Sequence, residues 1–348
     1  NLPHWARNLD TFGTPLGPAK LGAPDAQNDQ LTNEAISPEI LLSNVVRNLA
    51  LHAGTPSGRV NRALTSAVVR GHAWLGLSVT DQRSTRLDPK TPYEIMGKPN
   101  DPDRTGNPLH LALILLTIGR IAISKTLRRT PYLARFGAAL GTAFLLFCLM
   151  LKWQPWNSRL HLPLFVLASP LVGATWGTVP GVMWVATILL AAGATPSLLR
   201  NKLAPLVGRH TIFDTPWLDQ MFYSFRGHSS STERAYVAAA QVIGRHNCGD
   251  VGLILGWNDW EDPLWKLIRA PMGHIRRIEH VAVQNRSAAL ASSYPGFTPC
   301  AIVVGDVSVN SPIRLDAHSY SPSHVEDDLS VYIIDDTASS ENTRQSER

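Results

Sequence analysis

A short polar segment between two apolar runs carries residue types that could bind a phosphate. It covers residues 152–165 and contains Arg159, His161 and two tryptophans, Trp153 and Trp156. A guanidinium can grip a phosphate through two parallel hydrogen bonds. We therefore predict that Arg159 and His161 bind a lipid-borne phosphate. Trp153 and Trp156 would lie at the membrane interface, where tryptophan is enriched. The alternative is an ordinary end of a membrane span, with belt tryptophans and a snorkelling arginine.

The elements that must position this segment are apolar helices in the middle third of the chain. The average composition, 44% hydrophobic with a mean hydropathy of −0.03, is typical of a soluble protein and hides this concentration. Four candidate spans lie between residues 109 and 199: Leu109–Ser124, Phe136–Leu151, Leu160–Trp176 and Val179–Leu199. The first three are shorter than the roughly 20 residues that cross a bilayer unaided. We predict a polytopic region of about four transmembrane helices over residues 109–199.

The loop between the first two spans predicts the orientation. Residues 125–135 hold four positive charges and no acid, and positively charged loops stay on the cytoplasmic side. Both flanking segments, residues 1–108 and 200–335, are then expected outside. The net charge of +5 is explained by juxtamembrane lysines and arginines. Because no basic stripe is interleaved with aromatics, we do not expect nucleic-acid binding.

The first segment, residues 1–108, is predicted to be an outer loop with amphipathic helices. Residues 1–36 are rich in Pro, Gly, Asn and Asp and are expected to be loop. A helix should begin at Ser37, a good N-cap before proline and an acid, and end at Gly54. A second should run from about Arg59 to Gly71. In the first helix Leu42, Val45, Val46 and Leu49 share one face, and Asn44, Arg47 and Asn48 form the opposite face. This amphipathic pattern predicts a helix that lies on the bilayer or packs on the protein, with the polar trio at the membrane interface or substrate.

Asp101 and Asp103 form a D-x-D pair directly before the first span. In a sugar-transfer enzyme such a pair could hold a divalent metal or supply a base. The alternative is a turn, because an acid-proline-acid sequence followed by Thr-Gly-Asn-Pro has the chemistry of one. Asp103 is therefore a candidate catalytic acid, and both residues are candidate metal ligands.

Residues 200–335 have the composition of a small outer α/β domain. A helix over 231–246 and apolar strands near residues 251–255, 278–283 and 301–304 predict a mainly parallel sheet, with two further short strands around Ile313 and 331–334. Residues 336–348 are expected to be disordered. Trp257, Trp260 and Glu261 follow the first strand, where open α/β sheets place ligands, and could stack on and hydrogen-bond to a sugar. The alternative is a capped helix whose tryptophans fill the core.

The three cysteines bring no metal-ligand spacing. Cys148 falls inside a span and is expected to be a small apolar residue. Cys248 and Cys300 each precede a predicted strand. An oxidising compartment would permit a disulfide between them, and two buried free thiols are the alternative.

Several stretches together resemble the carboxy-terminal half of bacterial multi-spanning glycosyltransferases. They are residues 43–52, 105–110, 153–163 and 260–265, with residues 278–281. The relatives are of the protein O-mannosyltransferase and aminoarabinose-transferase type, with glycosyltransferase fold type C, and the resemblance covers about Asn1 to Asp306. It implies a bacterial inner-membrane enzyme that moves a sugar from a polyprenyl-phosphate carrier to an acceptor on the periplasmic face.

The resemblance also implies which residues act. Arg159 corresponds to an Arg-aromatic-x-x-Pro motif near the carrier phosphate, although Leu160 stands in the aromatic position. The family's catalytic acid lies in a first outer loop. We expect the chain to be a fragment, since it begins at Asn1 without methionine, and we expect that acid upstream of it. No cofactor is firmly implied beyond the candidate divalent metal.

Two other classes of function remain as alternatives. One is a non-enzymatic, membrane-anchored module whose outer domain binds a glycan or a protein. The other is a transporter, which is disfavoured because the spans lack internal acids and broken-helix signals.

Overall fold

The computed structural model describes residues 2–15, 31–87, 90–97, 101, 103–224, 227–256, 259–272, 277–284, 286–293, 296–305, 311–327 and 329–335. It is a mixed helical and sheet protein. It divides into two compact units. One unit holds residues 28–214, and the other combines residues 1–27 with residues 215–348. The sequence had instead predicted boundaries at residues 108, 199 and 335.

The helices of the described residues are, in chain order, α1 Leu2–Phe12, α2 Pro38–His52, α3 Gly58–Trp74, α4 Pro108–Ile123, α5 Lys125–Arg128, α6 Pro131–Met150, α7 Asn157–Leu160, α8 Leu162–Trp176, α9 Pro180–Leu199, α10 Trp217–Gln220, α11 Ser230–Arg245 and α12 Glu261–Met272. A 3₁₀ helix covers Arg286–Ser293. Helix α1 lies where we predicted loop. Leu2, Trp5 and Leu9 recur at helical spacing there, a pattern that the polar composition of residues 1–36 masked.

The start of α2 confirms the predicted cap. Ser37 is extended, and its hydroxyl accepts a hydrogen bond from the Ile40 backbone N–H at 3.3 Å. Pro38 occupies the first turn, where its missing N–H costs nothing. Helix α3 confirms the second predicted helix, with a few more residues at its end.

Two helices are long and apolar enough to cross a membrane, α6 and α9. Each has 20 residues and a mean hydropathy of 1.8 over its best window. The shorter apolar helices α4 and α8 have 16 and 15 residues. Helix α8 packs against both α4 and α6. The outward surfaces of these helices are apolar: Trp184, Val185 and Ile188 of α9 are all more than half exposed.

The strands of the described residues are β1 Tyr223–Ser224, β2 Gly227–His228, β3 Asp250–Ile254, β4 Arg277–His280, β5 Ala301–Gly305, β6 Ile313–Leu315, β7 His318–Glu326 and β8 Leu329–Ile334. Six form one sheet in the order β4-β3-β5-β8-β7-β6. Strand β3 is parallel to β4 and β5, whereas β5, β8, β7 and β6 are successively antiparallel. The prediction of a mainly parallel sheet is therefore wrong; the sheet is mixed.

The central strand β5 is buried on both faces of the sheet. On β5, Ala301 and Val303 belong to the core shared with α11 and α12, whereas Ile302 and Val304 pack with Tyr320 and Tyr332 on the other face. This alternation follows from the period of two along a strand. A disulfide joins Cys248 to Cys300 across a Cα–Cα distance of 5.5 Å, which is the first of the two alternatives for this pair.

Candidate functional site

The polar face of α2 lies inside the protein, opposite to the arrangement that its amphipathic pattern suggested. Asn44, Arg47 and Asn48 are each 0% exposed, whereas Leu42 on the apolar face is 44% exposed. These three residues, predicted to contact the membrane interface or the substrate, are instead buried inside the unit formed by residues 28–214. Buried polar groups need partners, and the partners explain the inversion.

The first set of partners is the carboxyl end of α6. The last carbonyls of a helix have no partner within it. The side-chain amide of Asn44 donates to the Cys148 carbonyl at 2.8 Å, and that of Asn33 donates to the Leu149 carbonyl at 2.8 Å. The Asn33 backbone N–H donates to the Met150 carbonyl at 2.8 Å. Two asparagines therefore cap the end of α6, where the polar segment 152–165 begins.

The second set of partners surrounds the Arg47 guanidinium. Nη1 donates to the Val79 carbonyl at 2.8 Å and to the Thr85 hydroxyl. Nη2 donates to Asn44 Oδ1 at 2.6 Å and to the Ser84 hydroxyl at 2.9 Å. Because all four terminal N–H groups have protein acceptors, the guanidinium offers no fork to a substrate.

Arg47 also packs against Trp153 of the polar segment. Its guanidinium carbon lies 5.5 Å from the centre of the Trp153 ring, within cation–π range. Burial lowers the pKa of Arg47 to about 10, so the side chain stays charged at neutral pH. Trp153 is 0% exposed and packs on Tyr93 with ring centroids 4.9 Å apart. Trp153 is thus a core residue, whereas Trp156 is half-buried.

The polar segment is held from one further side. The Asn157 side-chain amide donates to Asn48 Oδ1 at 3.1 Å, and Asn48 in turn contacts the Cys148 sulfur. Lys152 is 6% exposed and its Nζ lies 2.6 Å from Glu34. Residues 152–158 are therefore fixed by a buried contact to α2 and by an ion pair to Glu34.

Arg159 is the exposed cation that this fixed segment presents. Its side chain is 53% exposed, and Nη1 lies 3.1 Å from Asp103 Oδ1. The neighbouring Ser158 hydroxyl donates to the Asp103 carbonyl at 2.9 Å. The structure thus brings together two residues that were predicted separately, a phosphate-binding arginine and a candidate acid 56 positions away.

Asp101 and Asp103 form a turn. Asp101 Oδ1 accepts from the Asp103 backbone N–H at 3.1 Å, and the Asp101 carbonyl accepts from the Thr105 hydroxyl at 2.7 Å. Asp101 is 2% exposed and Asp103 is 32% exposed at its side chain. Among the described residues, no group of three or more histidine, cysteine or acidic side chains is arranged to hold a metal.

A close backbone contact places this turn against α2. A Cβ at Gly106 would overlap the Gly54 carbonyl oxygen, and the Asn107 N–H donates to the His52 carbonyl at 2.9 Å. Only glycine allows this approach. The glycine of the Thr-Gly-Asn-Pro stretch therefore has a structural reason.

His161, predicted to share the phosphate with Arg159, faces the interior. It is 1% exposed, and its Nδ1 lies 2.9 Å from His52 Nε2. Its ring also meets Phe147 edge-on at a centroid distance of 4.3 Å. Arg159 and His161 thus contact different surroundings.

The His52–His161 pair was not predicted from the sequence. Asn44, Asn48 and His52 recur every four residues along α2, which places them on one helix face. Such a polar stripe, together with Arg47, was the available signal of a buried polar face.

The candidate sugar contacts lie on the sheet unit. Trp260 packs against the core and its backbone N–H donates to the Tyr236 hydroxyl at 3.0 Å, which is the core-filling alternative. Glu261 accepts from the Trp265 indole at 2.7 Å and lies 3.0 Å from His280 Nε2. Trp257 lies outside the described residues. Comparison with known proteins identifies no relative: no family model, curated protein or solved structure matches the chain.

Proposed function

We propose that this chain is part of an integral-membrane glycosyltransferase that takes a sugar from a polyprenyl-phosphate carrier. Arg159 binds the carrier phosphate. The observation that carries the proposal is the exposed Arg159 guanidinium beside Asp103, on a segment otherwise fixed by buried contacts. Preorganised charge of this kind is what a departing phosphate needs.

The membrane part of the proposal is supported by apolar surface. Helix α9 has no buried residue although its mean hydropathy is 1.8. Soluble monomers rarely expose contiguous apolar patches of more than a few hundred Å². We propose that α6 and α9 cross a bilayer and that α4 and α8 cross with them, which gives four spans over residues 109–199. The shorter two would draw in flanking residues or thin the bilayer locally.

The geometry at Arg159 fits a phosphate ligand. Within the described residues its guanidinium has one recorded side-chain partner, Asp103 Oδ1, through Nη1. Three further N–H groups of the terminal nitrogens remain for the bidentate grip that phosphate prefers. The short helix α7 places this side chain between α6 and α8, at the end of both apolar helices.

Asp103 supplies a carboxylate next to the proposed phosphate site. Attack of an acceptor hydroxyl on the anomeric carbon needs a positioned base, and the broken bond leaves its electron pair on the phosphate oxygen. Asp103 is the candidate base within the described residues. Asp103 also pairs with the Arg159 guanidinium at 3.1 Å, so we assign it the positioning of Arg159 as well.

Binding of a polyprenyl monophosphate to the full chain in phosphatidylcholine nanodiscs tests the proposal. Arg159→Ala should weaken binding roughly tenfold to hundredfold, because a hydrogen bond to a charged group contributes about 1.5–3 kcal/mol. Arg159→Lys should restore part of it, since lysine offers charge without the fork. The control is Arg200→Ala, an exposed arginine after α9. Equal binding by wild type and Arg159→Ala, or equal loss in Arg200→Ala, would overturn the proposal.

A second candidate, a glycan- or protein-binding module, is favoured by one feature of the sheet. Strand β3 lies between β4 and β5, so the connection from β3 to β4 and the connection from β4 to β5 run in opposite directions across the sheet. Open sheets bind ligands at the carboxyl ends of such strands. There the Asp259 carboxylate accepts from the Gly256 N–H and rests against Gly305. This candidate would be favoured if the wild type binds a glycan but neither binds prenyl phosphate nor transfers sugar, and if Asp259→Asn loses the glycan binding.

A further inference from the structure

The helices of residues 28–214 border a partly open cavity of about 280 Å³. It lies between α4, α6 and α8 and reaches the end of α2, with walls that include Leu111, Leu140, Phe144 and Leu164. Its size is at the lower end of the range for small-molecule pockets. Among the described residues that line it, only His52 and His161 bring polar side chains.

Two glycines of α6 form part of this cavity. Gly137 and Gly141 have the G-x-x-x-G spacing that allows close helix contact. A Cβ at Gly141 would have nothing within 4 Å, and one at Gly137 would make an ordinary 3.6 Å contact with Leu171. The space at Gly141 is therefore open, whereas Leu171 of α8 packs beside Gly137.

The hydrogen bonds at the polar end have a direction. The Asn107 amide nitrogen lies 3.4 Å from His52 Nδ1, and an amide nitrogen can only donate. Neutral His52 therefore accepts at Nδ1 and donates from Nε2 to His161 Nδ1, 2.9 Å away. His161 must then carry its own proton on Nε2.

That last proton has no acceptor. His161 Nε2 is buried and has no hydrogen-bond partner among the residues that the structure describes. An unsatisfied buried donor destabilises the folded state. His161 is also a wall of the cavity, so a small tilt of its ring that brings Nε2 to the cavity surface would let a ligand oxygen accept this hydrogen bond.

We propose that this cavity binds an apolar chain carrying a neutral hydroxyl or carbonyl oxygen, which accepts the hydrogen bond from His161 Nε2. An anionic headgroup does not fit, because no lysine or arginine is among the described lining residues and an unpaired buried charge is costly. Burial, helped by the neighbouring His161, lowers the pKa of His52 to about 3, so His52 supplies no cation either. This site is separate from the phosphate site proposed at Arg159 and does not depend on it.

Two sources could supply such a molecule. A bilayer phospholipid offers an ester carbonyl on an acyl chain, and a dedicated prenyl alcohol or quinone offers a hydroxyl or ring carbonyl. Both make the same contact with His161. Competition between a prenyl alcohol and phosphatidylcholine separates the two sources.

Matched probes test the proposal on the full chain in detergent micelles. They are farnesol, farnesyl phosphate and the head-free hydrocarbon farnesane. Binding is measured in an Arg159→Ala background to remove the proposed phosphate site. Farnesol should bind about tenfold more tightly than farnesane, as one hydrogen bond allows, and farnesyl phosphate should not exceed farnesane. Equal binding of farnesol and farnesane would overturn the proposal.

Two variants locate the site. Gly141→Phe places a large ring in the open space beside Gly141 and should reduce farnesol binding at least tenfold. The control, Gly119→Phe, changes a glycine of α4 that also has nothing within 4 Å of its Cβ and does not line the cavity. His161→Phe keeps a ring but removes the donor, and should lower farnesol binding to the farnesane level.

The outcomes divide cleanly. If Gly141→Phe or His161→Phe folds, by its melting temperature, and binds farnesol as the background does, the site is wrong. One pair of results identifies the occupant as a bilayer lipid that makes the proposed contact with His161: excess phosphatidylcholine displaces farnesol from the protein that keeps Gly141, and Gly141→Phe fails to retain phospholipid. In the protein that keeps Arg159, Gly141→Phe should leave prenyl phosphate binding unchanged. That result would separate this site from the proposed transferase site.

Discussion

Replacing Arg47 by methionine removes a fully buried guanidinium while keeping much of its volume. Four acceptors lose their donors: the Val79 carbonyl, the Thr85 and Ser84 hydroxyls and Asn44 Oδ1. At about 1 kcal/mol for each unsatisfied group, we expect a loss of about 4 kcal/mol in the free energy of unfolding. For a unit of this size about 1 kcal/mol corresponds to ~2–4 °C, so the melting temperature should fall by roughly 8–16 °C.

The assay is thermal unfolding of the purified full chain in detergent, followed by tryptophan fluorescence, since Trp153 lies against Arg47. The control is Arg83→Met. Arg83 is 63% exposed and pairs with Asp81, and such surface pairs contribute about 0–1 kcal/mol. A melting temperature of Arg47→Met within about 2 °C of the wild type, a shift below ~1 kcal/mol, would refute the structural role. Lost prenyl phosphate binding at unchanged stability would make Arg47 a substrate ligand.

Three further predictions concern the histidine pair, the disulfide and the glycine contact. Burial lowers the folded-state pKa of His52 to about 3, so below about pH 6.5 the unfolded state binds more protons than the folded state. The stability that neutral His52 contributes should therefore be complete above that pH and should fall toward pH 3. His52→Phe should make the melting temperature depend less on pH over this range. Alkylation of unfolded, unreduced protein should label Cys148 alone, and reducing the Cys248–Cys300 bond, 52 residues apart, should cost roughly 4 kcal/mol on loop entropy; three labelled thiols before reduction would contradict this. Gly106→Ala should destabilise the protein by ~2 kcal/mol or more, because its Cβ would overlap the Gly54 backbone. Gly71→Ala, with open space in α3, should stabilise the protein by about 0.5–1 kcal/mol; urea titration of both variants measures the two changes.

Local sequence patterns predicted where α2 starts better than which of its faces is buried. Ser37 predicted the beginning of α2 correctly, because an N-cap hydrogen bond involves only the next three residues. The orientation of α2 depends on acceptors more than a hundred positions away, at the end of α6. An amphipathic pattern alone does not say which face meets the interior, and here the buried face is the polar one.

The sheet was mispredicted because strand β7 was missed. Strand β7 contains Pro322, and proline argues against a strand inside a sheet. The structure accommodates it at a register shift between Pro322 and His324. Once β7 is present, β6, β7 and β8 form an antiparallel half beside the parallel β4, β3 and β5.

The candidate site was predictable in part. Arg159 was selected from its position between apolar runs, and its exposure depends on the buried contacts of residues 152–158, which no local pattern predicts. The partner at Asp103 and the separation of His161 from Arg159 are tertiary properties. The D-x-D pair could be understood as a turn from its composition.

We propose that residues 109–199 span a membrane and that Arg159 lies at its external surface. The most direct measurement is labelling of single cysteines in intact cells with a membrane-impermeant maleimide, in the full chain with Cys148→Ser as the parent. Arg159→Cys should be labelled in intact cells. Arg129→Cys, in the basic loop between α4 and α6, should be labelled only after permeabilisation. Labelling of both positions in intact cells, or of neither until permeabilisation, would contradict the account.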